Sequence, residues 1–195
     1  MSSQVNITLE GRGQDTVVVS IGSNIPYGKR PIVDVLGEAI EALRAFSTTP
    51  VLVSSFYRTE ALGCAPGTPD FINGIVILTP LEKLSAAAFL EELHGIERRF
   101  GRKQNRHRGK TGSRGNALPP HRPRSLDLDL ICWGKLCSDS DRLVLPHPRA
   151  HLRRFVLAPL AELAPALILP GQTLSVQVLL SGLDCVGAVS RLESL

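Results

Sequence analysis

Residues Ser125 to Ile131 read Ser-Leu-Asp-Leu-Asp-Leu-Ile, a strict alternation whose simplest meaning is a β-strand. Successive side chains of a strand point to opposite faces, so Leu126, Leu128 and Leu130 share one face while Asp127 and Asp129 share the other. The leucine face needs a core. The other face sets two carboxylates side by side, and like charges that close repel unless a cation or an arginine compensates them. The chain must therefore build a sheet that is apolar on one side and, at this strand, polar on the other.

The rest of the chain supplies the partners. Thr16 to Ile21 is β-branched and runs into the turn signal Gly22-Ser23-Asn24, which predicts a buried strand. Pro31 opens a helix whose apolar residues Ile32, Leu36, Ile40, Leu43 and Phe46 recur at helical spacing. Thr49 to Tyr57 and Asp70 to Thr79 read as strands separated by the Gly/Pro-rich loop Gly63 to Pro69. Leu84, Ala88, Phe89, Leu93, Ile96 and Phe100 mark a second helix. With the Asp127 strand the order is β-α-β-β-α-β, the ferredoxin-like split-βαβ sandwich of the α+β class, an antiparallel sheet with both helices on one face. A C-terminal segment from about Leu136 extends it, with a helical stretch Leu152 to Leu163 and an apolar tail near Leu169 to Leu183. The free face of the sheet is left for ligands or for this segment.

With 195 residues, 43% hydrophobic, the chain can bury a real core, as one compact domain or at most two small ones. Residues 16–195 are expected to form a single domain. At 5% aromatic residues the core is aliphatic. Cys64, Cys132, Cys137 and Cys185 form no CxxC pair, which favours reduced thiols and a cytoplasmic protein. Residues 1–15 are polar with no apolar stretch and read as a frayed extension, not a signal peptide; no run is long enough to span a membrane.

The net charge of +4 is unevenly placed. Arg98 to Arg124 holds ten Lys or Arg and no acid, leaving twelve basic against eighteen acidic residues elsewhere, net −6. Such a segment attracts a polyanion, either a nucleic-acid backbone or nucleotide phosphates. Within it, residues 104–122, with three glycines and Pro119-Pro120, read as a mobile basic loop. The segment lacks interleaved aromatics after Phe100, so base stacking is unsupported, which favours nucleotide phosphates over the alternative of a nucleic-acid-binding ferredoxin-like module.

Two oxygen-rich carboxylates are what Mg²⁺ takes when substrate phosphates complete its shell, and Arg122 and Arg124 immediately upstream suit a phosphate clamp. A solvated strand face is the plainer reading of the same two aspartates. Gly22 to Arg30 and Gly109-Lys110-Thr111 imitate a P-loop but fail its glycine spacing or its strand context. Cys132, Cys137, His147 and His151 follow a C-x4-C-x9-H-x3-H spacing that admits zinc, against the simpler reading of two thiols and two unrelated histidines. His147 between Pro146 and Pro148 is rigidly held, as a phosphate ligand needs to be.

Val19 to Asn24, Ser54 to Thr59, Asp70 to Asn73, Ile96-Glu97 with Gly101-Arg102, Pro123 to Leu130, and Pro146-His147-Pro148 with Arg153 to Leu157 occur in order. Together they closely resemble the 6-hydroxymethyl-7,8-dihydropterin pyrophosphokinase family, over about Val17 to Pro165. The resemblance implies ATP-dependent transfer of diphosphate to the pterin's hydroxymethyl oxygen, with release of AMP, in folate biosynthesis. It implies Asp127 and Asp129 as ligands of two Mg²⁺ ions, with Arg102 and Arg124 as catalytic partners. Glu97, Arg102, Arg124, Arg142, His147 and Arg153 would contact ATP, Glu97 near its ribose. Thr59, Leu62, Phe71, Asn73 and Phe155 would form the pterin pocket, the two aromatics sandwiching the ring while Asn73 reads its edge. ATP and the pterin are the expected partners, no membrane is involved, and a monomer is expected. The chain departs from the family at Glu60-Ala61, Gln104, His121 and Val144, and its basic loop is longer than in the shortest members. Glu60-Ala61 and the altered loop keep open a paralogue acting on a related pterin.

Overall fold

The computed structural model describes residues 16–61, 64–102, 123–184 and 188–193. The expected N-terminal extension, Leu62 of the expected pterin pocket, and the basic loop 104–122 lie outside the described residues. The elements run β1 (Val17–Ser23), α1 (Ile32–Arg44), β2 (Leu52–Val53), β3 (Tyr57–Thr59), β4 (Phe71–Leu78), α2 (Ala86–Arg99), β5 (Asp127–Trp133), β6 (Ser138–Asp139), β7 (Val144–Leu145), α3 (Arg154–Leu163), α4 (Val176–Ser181) and β8 (Val189–Arg191). Among the described residues, a six-stranded antiparallel sheet has the order β5-β1-β4-β3-β8, with β2 paired to β4. This is the ferredoxin-like α+β arrangement, with the two central strands β1 and β4 buried along almost their whole length.

Pleating divides the core between the two faces. Val17, Val19 and Ile21 of β1, Val76 and Leu78 of β4, and Leu126, Leu128 and Leu130 meet Leu36, Ile40 and Leu43 of α1 and Phe89, Leu93 and Ile96 of α2. Val18, Ile75 and Ile77 face the other way, onto Val156, Leu157 and Leu160 of α3 and Val176 of α4. The C-terminal segment thus covers one end of the second face and leaves the other end, around Asp127 and Asn73, to the site described below. α2 starts on Ser85, whose hydroxyl accepts the Ala88 N–H at 3.2 Å. α1 follows Pro31, which stands as the residue before the helix instead of within its first turn.

Three local expectations are corrected. β1 does not end at Ile21: Gly22 and Ser23 stay in the ladder, paired with Asn73 and Ile72. The strand expected over Thr49–Tyr57 divides into β2 and β3, because the Ile75 N–H donates to the Ser54 side chain at 2.9 Å instead of to a backbone carbonyl. The helix expected over Leu152–Leu163 is a short 3₁₀ turn, Ala150–Leu152, and then α3, with Arg153 extended between them. β5 also carries a bulge opposite Val18 and Val19, so Ile131 and Cys132 both face the α3 side while Trp133 returns to Phe89.

β8 was not expected from its short sequence. It is held through Glu162 of α3, whose carboxylate accepts from the Ser55 N–H at 3.1 Å, the Ser55 hydroxyl at 2.9 Å and the Tyr57 hydroxyl at 3.1 Å, while Arg191 donates to Ser55 Oγ at 2.8 Å. Burial first, and then the Glu162 charge, push the Tyr57 phenol from 10.0 up to about 12. The bond therefore contributes fully below pH 10 and is lost as pH rises through about 12. In a Tyr27→Phe variant, which leaves Tyr57 as the single tyrosine, the phenolate absorbance should rise with a midpoint near pH 12; a midpoint at pH 10 would contradict this contact.

Candidate active site

The site is organised by one row of residues across three strands. Asn73 of β4 is the direct cross-strand partner of Gly22 of β1, and Gly22 in turn is the partner of Asp127 of β5. Adjacent strands lie about 4.8 Å apart, so the Asn73 and Asp127 backbones stand roughly 9–10 Å apart with a residue lacking a side chain between them. A methyl group at Gly22 would overlap Asn73 Oδ1 and come within 3.5 Å of its Cγ. Gly22 is thus the floor of a trough with an amide on one wall and a carboxylate on the other.

On the carboxylate side, Asp127 and Asp129 do share a face, each partly exposed, at 23% and 33% of the side chain. Asp127 Oδ1 accepts from Arg102 at 2.9 Å and from Arg124 at 2.6 Å, and Arg153 lies 3.4 Å from Asp129 Oδ2. Burial pushes the Asp127 carboxyl up, but Arg124 and then Arg102 outweigh it and hold it below the usual carboxylate range. Asp127 is therefore an ionised partner of two guanidinium groups at neutral pH.

Local sequence explains how Arg102 gets there. Gly101, at φ +85°, ends α2 by a turn that only glycine adopts without strain, and the Arg102 N–H folds back to donate to the Glu97 carbonyl at 3.2 Å. Its guanidinium then meets both the Glu97 carboxylate and Asp127. Glu97 is 1% exposed, and its Oε1 accepts the Leu128 N–H at 2.9 Å, between the two aspartates. Its Oε2 is buried without a partner among the described residues.

The Pro-His-Pro segment docks on the same strand: the His147 N–H donates to the Ile131 carbonyl at 2.8 Å, and the peptide between Leu145 and Pro146 is cis. His147 Nδ1 accepts the Arg149 N–H at 3.2 Å. Burial first, with Arg153 and Arg149 adding to it against Asp129, lowers the His147 pKa, so the ring is neutral with its proton on Nε2. That nitrogen lies 3.4 Å from the Arg153 guanidinium. Two donors side by side suit one acceptor that bonds to both, such as a phosphate oxygen.

On the amide side, Asn73 is buried and its Nδ2 donates to Thr59 Oγ1 at 2.7 Å. Phe71, half-buried, lies two residues before Asn73 on the same face of β4. Phe155, in the first turn of α3, packs on the core of that face with Arg153 5.3 Å over its ring. Of the residues singled out from sequence, the fold thus gathers Thr59, Phe71, Asn73, Glu97, Arg102, Arg124, Asp127, Asp129, His147, Arg153 and Phe155 around one trough. Arg142 stands apart, exposed between β6 and β7, with no ion pair to this cluster among the described residues. Val144 is 44% exposed beside it.

Two residues were not foreseen. In sequence Gly22 reads as a turn signal, although a glycine at the end of a β-branched strand also marks close approach of a neighbouring side chain. Asn24 is 2% exposed and bonds to Arg124 and Pro69. The zinc spacing has no counterpart: Cys132 is buried, its thiol pushed up to about 12 by burial, while Cys137 is exposed. Among the described residues no three His, Cys, Asp or Glu side chains converge as metal ligands.

The sequence profile of the 7,8-dihydro-6-hydroxymethylpterin-pyrophosphokinase family matches residues 18–165. Among curated proteins, the 2-amino-4-hydroxy-6-hydroxymethyldihydropteridine pyrophosphokinase of Synechocystis sp. is 38% identical over 169 residues, covering 86% of this chain and 76% of the relative. The enzyme of the same name from Pseudomonas aeruginosa is 36% identical over 154 residues, 79% of this chain and 83% of the relative. Among solved structures, Plasmodium falciparum HPPK-DHPS with pteroate superposes with a TM-score of 0.59 over 86% of this chain and 44% of that one, at 10% identity, a likeness of fold alone.

Proposed function

The chain belongs to the 7,8-dihydro-6-hydroxymethylpterin-pyrophosphokinase family, and from that membership we propose that the trough between Asn73 and Asp127 is the place where its two substrates meet. The reaction is diphosphate transfer from ATP to the hydroxymethyl group of 6-hydroxymethyl-7,8-dihydropterin in folate biosynthesis. The hydroxymethyl oxygen loses its proton to solvent and forms a bond to the β-phosphorus, the bond from that phosphorus to the bridging α-phosphate oxygen breaks, and AMP leaves with that oxygen.

The observation that carries the assignment is the row Asn73–Gly22–Asp127. The pterin edge is a row of hydrogen-bond donors and acceptors, which the buried Asn73 amide matches with one of each. Phe71, two residues before Asn73 on the same strand face, and Phe155 would sandwich the ring, each ring face worth about 0.5–1.5 kcal/mol beyond burial when stacked on a flat heterocycle. The missing side chain at Gly22 leaves room for the Asn73 amide oxygen, and the substrate's hydroxymethyl end would point toward Asp127.

The donor set suits Mg²⁺: two partly exposed carboxylates on one face, with no third protein ligand among the described residues, leave positions for phosphate oxygens and water. Asp127 and Asp129 would hold it, and bound there it supplies charge neutralisation on the phosphates. Arg102, Arg124 and Arg153 then turn from the carboxylates to the phosphate oxygens, which carry more charge, and the His147 Nε2–H donates to the same oxygens. No covalent intermediate is needed; positioning and charge do the work.

Mn²⁺ in place of Mg²⁺ tests the metal assignment. Electron paramagnetic resonance of Mn²⁺ with α,β-methylene ATP should report protein-bound metal with the wild type and mostly free Mn²⁺–nucleotide with Asp127→Asn/Asp129→Asn. Equal binding by both proteins would place the metal elsewhere.

A further inference from the structure

We infer that Asn24 is a positioning residue that holds the two halves of the site in register, one side-chain atom for each substrate; this rests on the trough being the site of transfer. Asn24 is 2% exposed at the end of β1. Its Oδ1 accepts the Arg124 N–H at 2.7 Å, and its own N–H donates to the Arg124 carbonyl at 3.0 Å. Its Nδ2 donates to the Pro69 carbonyl at 3.2 Å. The amide has one possible orientation, because both side-chain partners are backbone groups: an N–H that cannot accept and a carbonyl that cannot donate.

What makes these bonds functional is where the two backbones lead. Arg124 places its guanidinium on Asp127, three residues further on. Pro69 lies two residues before Phe71 and four before Asn73, at the end of a loop whose turn at Ala65–Thr68 is closed by its own local bond. Oδ1 thus fixes the phosphate-side arginine, and Nδ2 fixes the entry to the pterin-side strand. Gly22, two residues earlier, lies between Asn73 and Asp127. The β1 end is therefore the shared reference for both walls, and a displacement of either loop is resisted through one buried amide.

Asn24→Asp separates the two arms. A carboxylate keeps the acceptor for the Arg124 N–H but turns an oxygen against the Pro69 carbonyl. Asn24→Ala removes both arms. The measurements are calorimetric dissociation constants for Mg²⁺–α,β-methylene ATP alone, and for 6-hydroxymethyl-7,8-dihydropterin with the analogue saturating, together with the melting temperature of each protein. For Asn24→Asp the analogue should bind within about twofold of wild type while the pterin weakens about tenfold, the scale of one buried carbonyl left unpaired. For Asn24→Ala both ligands should weaken by about tenfold or more. Aspartate thus rescues nucleotide binding but not pterin binding, a pattern that a general loss of stability does not produce.

Equal weakening of both ligands in Asn24→Asp would overturn the division of roles. Wild-type affinities in both folded variants, with only the melting temperature lowered, would overturn any positioning role. If Asn24→Asp does not fold, Asn24→Ala decides: weakened binding of both ligands per folded molecule supports the inference, and unchanged binding overturns it. Wild type that binds neither ligand would overturn the functional reading itself, an arm independent of the variants.

Discussion

Asp127→Asn and Asp129→Asn should each lower kcat by about 10²–10³-fold, the size of effect seen when one group that stabilises transition-state charge is removed, while the protein stays folded. The two expectations separate because the carboxylates serve the chemistry more than the core. Asp127 and Asp129 are partly exposed, and their arginine partners are one-third exposed or less, at 33%, 31% and 18%. Pairs near solvent contribute about 0–1 kcal/mol each. Arg102 in Asp127→Asn retains Glu97, and the asparagine oxygen can still accept from Arg124.

Acid makes the same division visible. Asp127 titrates at 3.8 in an unfolded chain and lower in the folded protein, so its arginine pairs contribute fully above about pH 4 and vanish as pH falls through the folded value. Wild type and Asp127→Asn should therefore differ in stability at pH 7 and converge as pH falls through the lowered folded-state value of Asp127. A variant that melts far below wild type at pH 7, or one that keeps wild-type turnover, would place the role of Asp127 in the fold instead.

Gly22→Ala should be the most damaging single methyl in the chain for the pterin. No exposed loop can absorb it: Gly22 is fully within the ladder, and the added carbon overlaps Asn73 Oδ1. Asn73 is buried and already donates to Thr59, so moving it breaks that bond or strands its oxygen. Overpacking of this kind costs about 1–3 kcal/mol of stability. An amide pushed off the ring edge leaves a buried polar group unpaired, about 1–3 kcal/mol or roughly 5–150-fold in pterin affinity. The nucleotide analogue, held from the β5 and α3 sides, should bind within a few-fold of wild type. Calorimetry with each ligand checks this; a pterin constant unchanged by the methyl would remove Gly22 and Asn73 from the pocket floor.

Particular residues explain what was legible in advance. The Leu126–Leu130 alternation is periodic, so it placed Asp127 and Asp129 on one face without any knowledge of the partner strands, and α1 and α2 were readable for the same reason. Bonds across the sheet are not periodic in sequence. Ser54 diverting the Ile75 N–H, the β5 bulge that turns both Ile131 and Cys132 inward, and β8 held by Glu162 each depend on a residue more than fifty positions away or on a neighbouring strand's register. In the site, charged and aromatic residues announced themselves by chemistry, whereas Gly22 and Asn24 act through a missing side chain and through backbone partners. Glu97 appeared from the resemblance as a residue near the ribose; the fold buries it under Leu128 and Arg102, where it holds the strand between the two aspartates.

The most direct measurement is the product balance of a single turnover. Wild-type protein, Mg²⁺, ATP and 6-hydroxymethyl-7,8-dihydropterin are followed by phosphorus NMR and chromatography. Transfer across the Asn73–Asp127 trough requires AMP and the pterin diphosphate in a one-to-one ratio, both lost together in Asp127→Asn; ADP with a pterin monophosphate, or AMP formed equally well by Asp127→Asn, would contradict it.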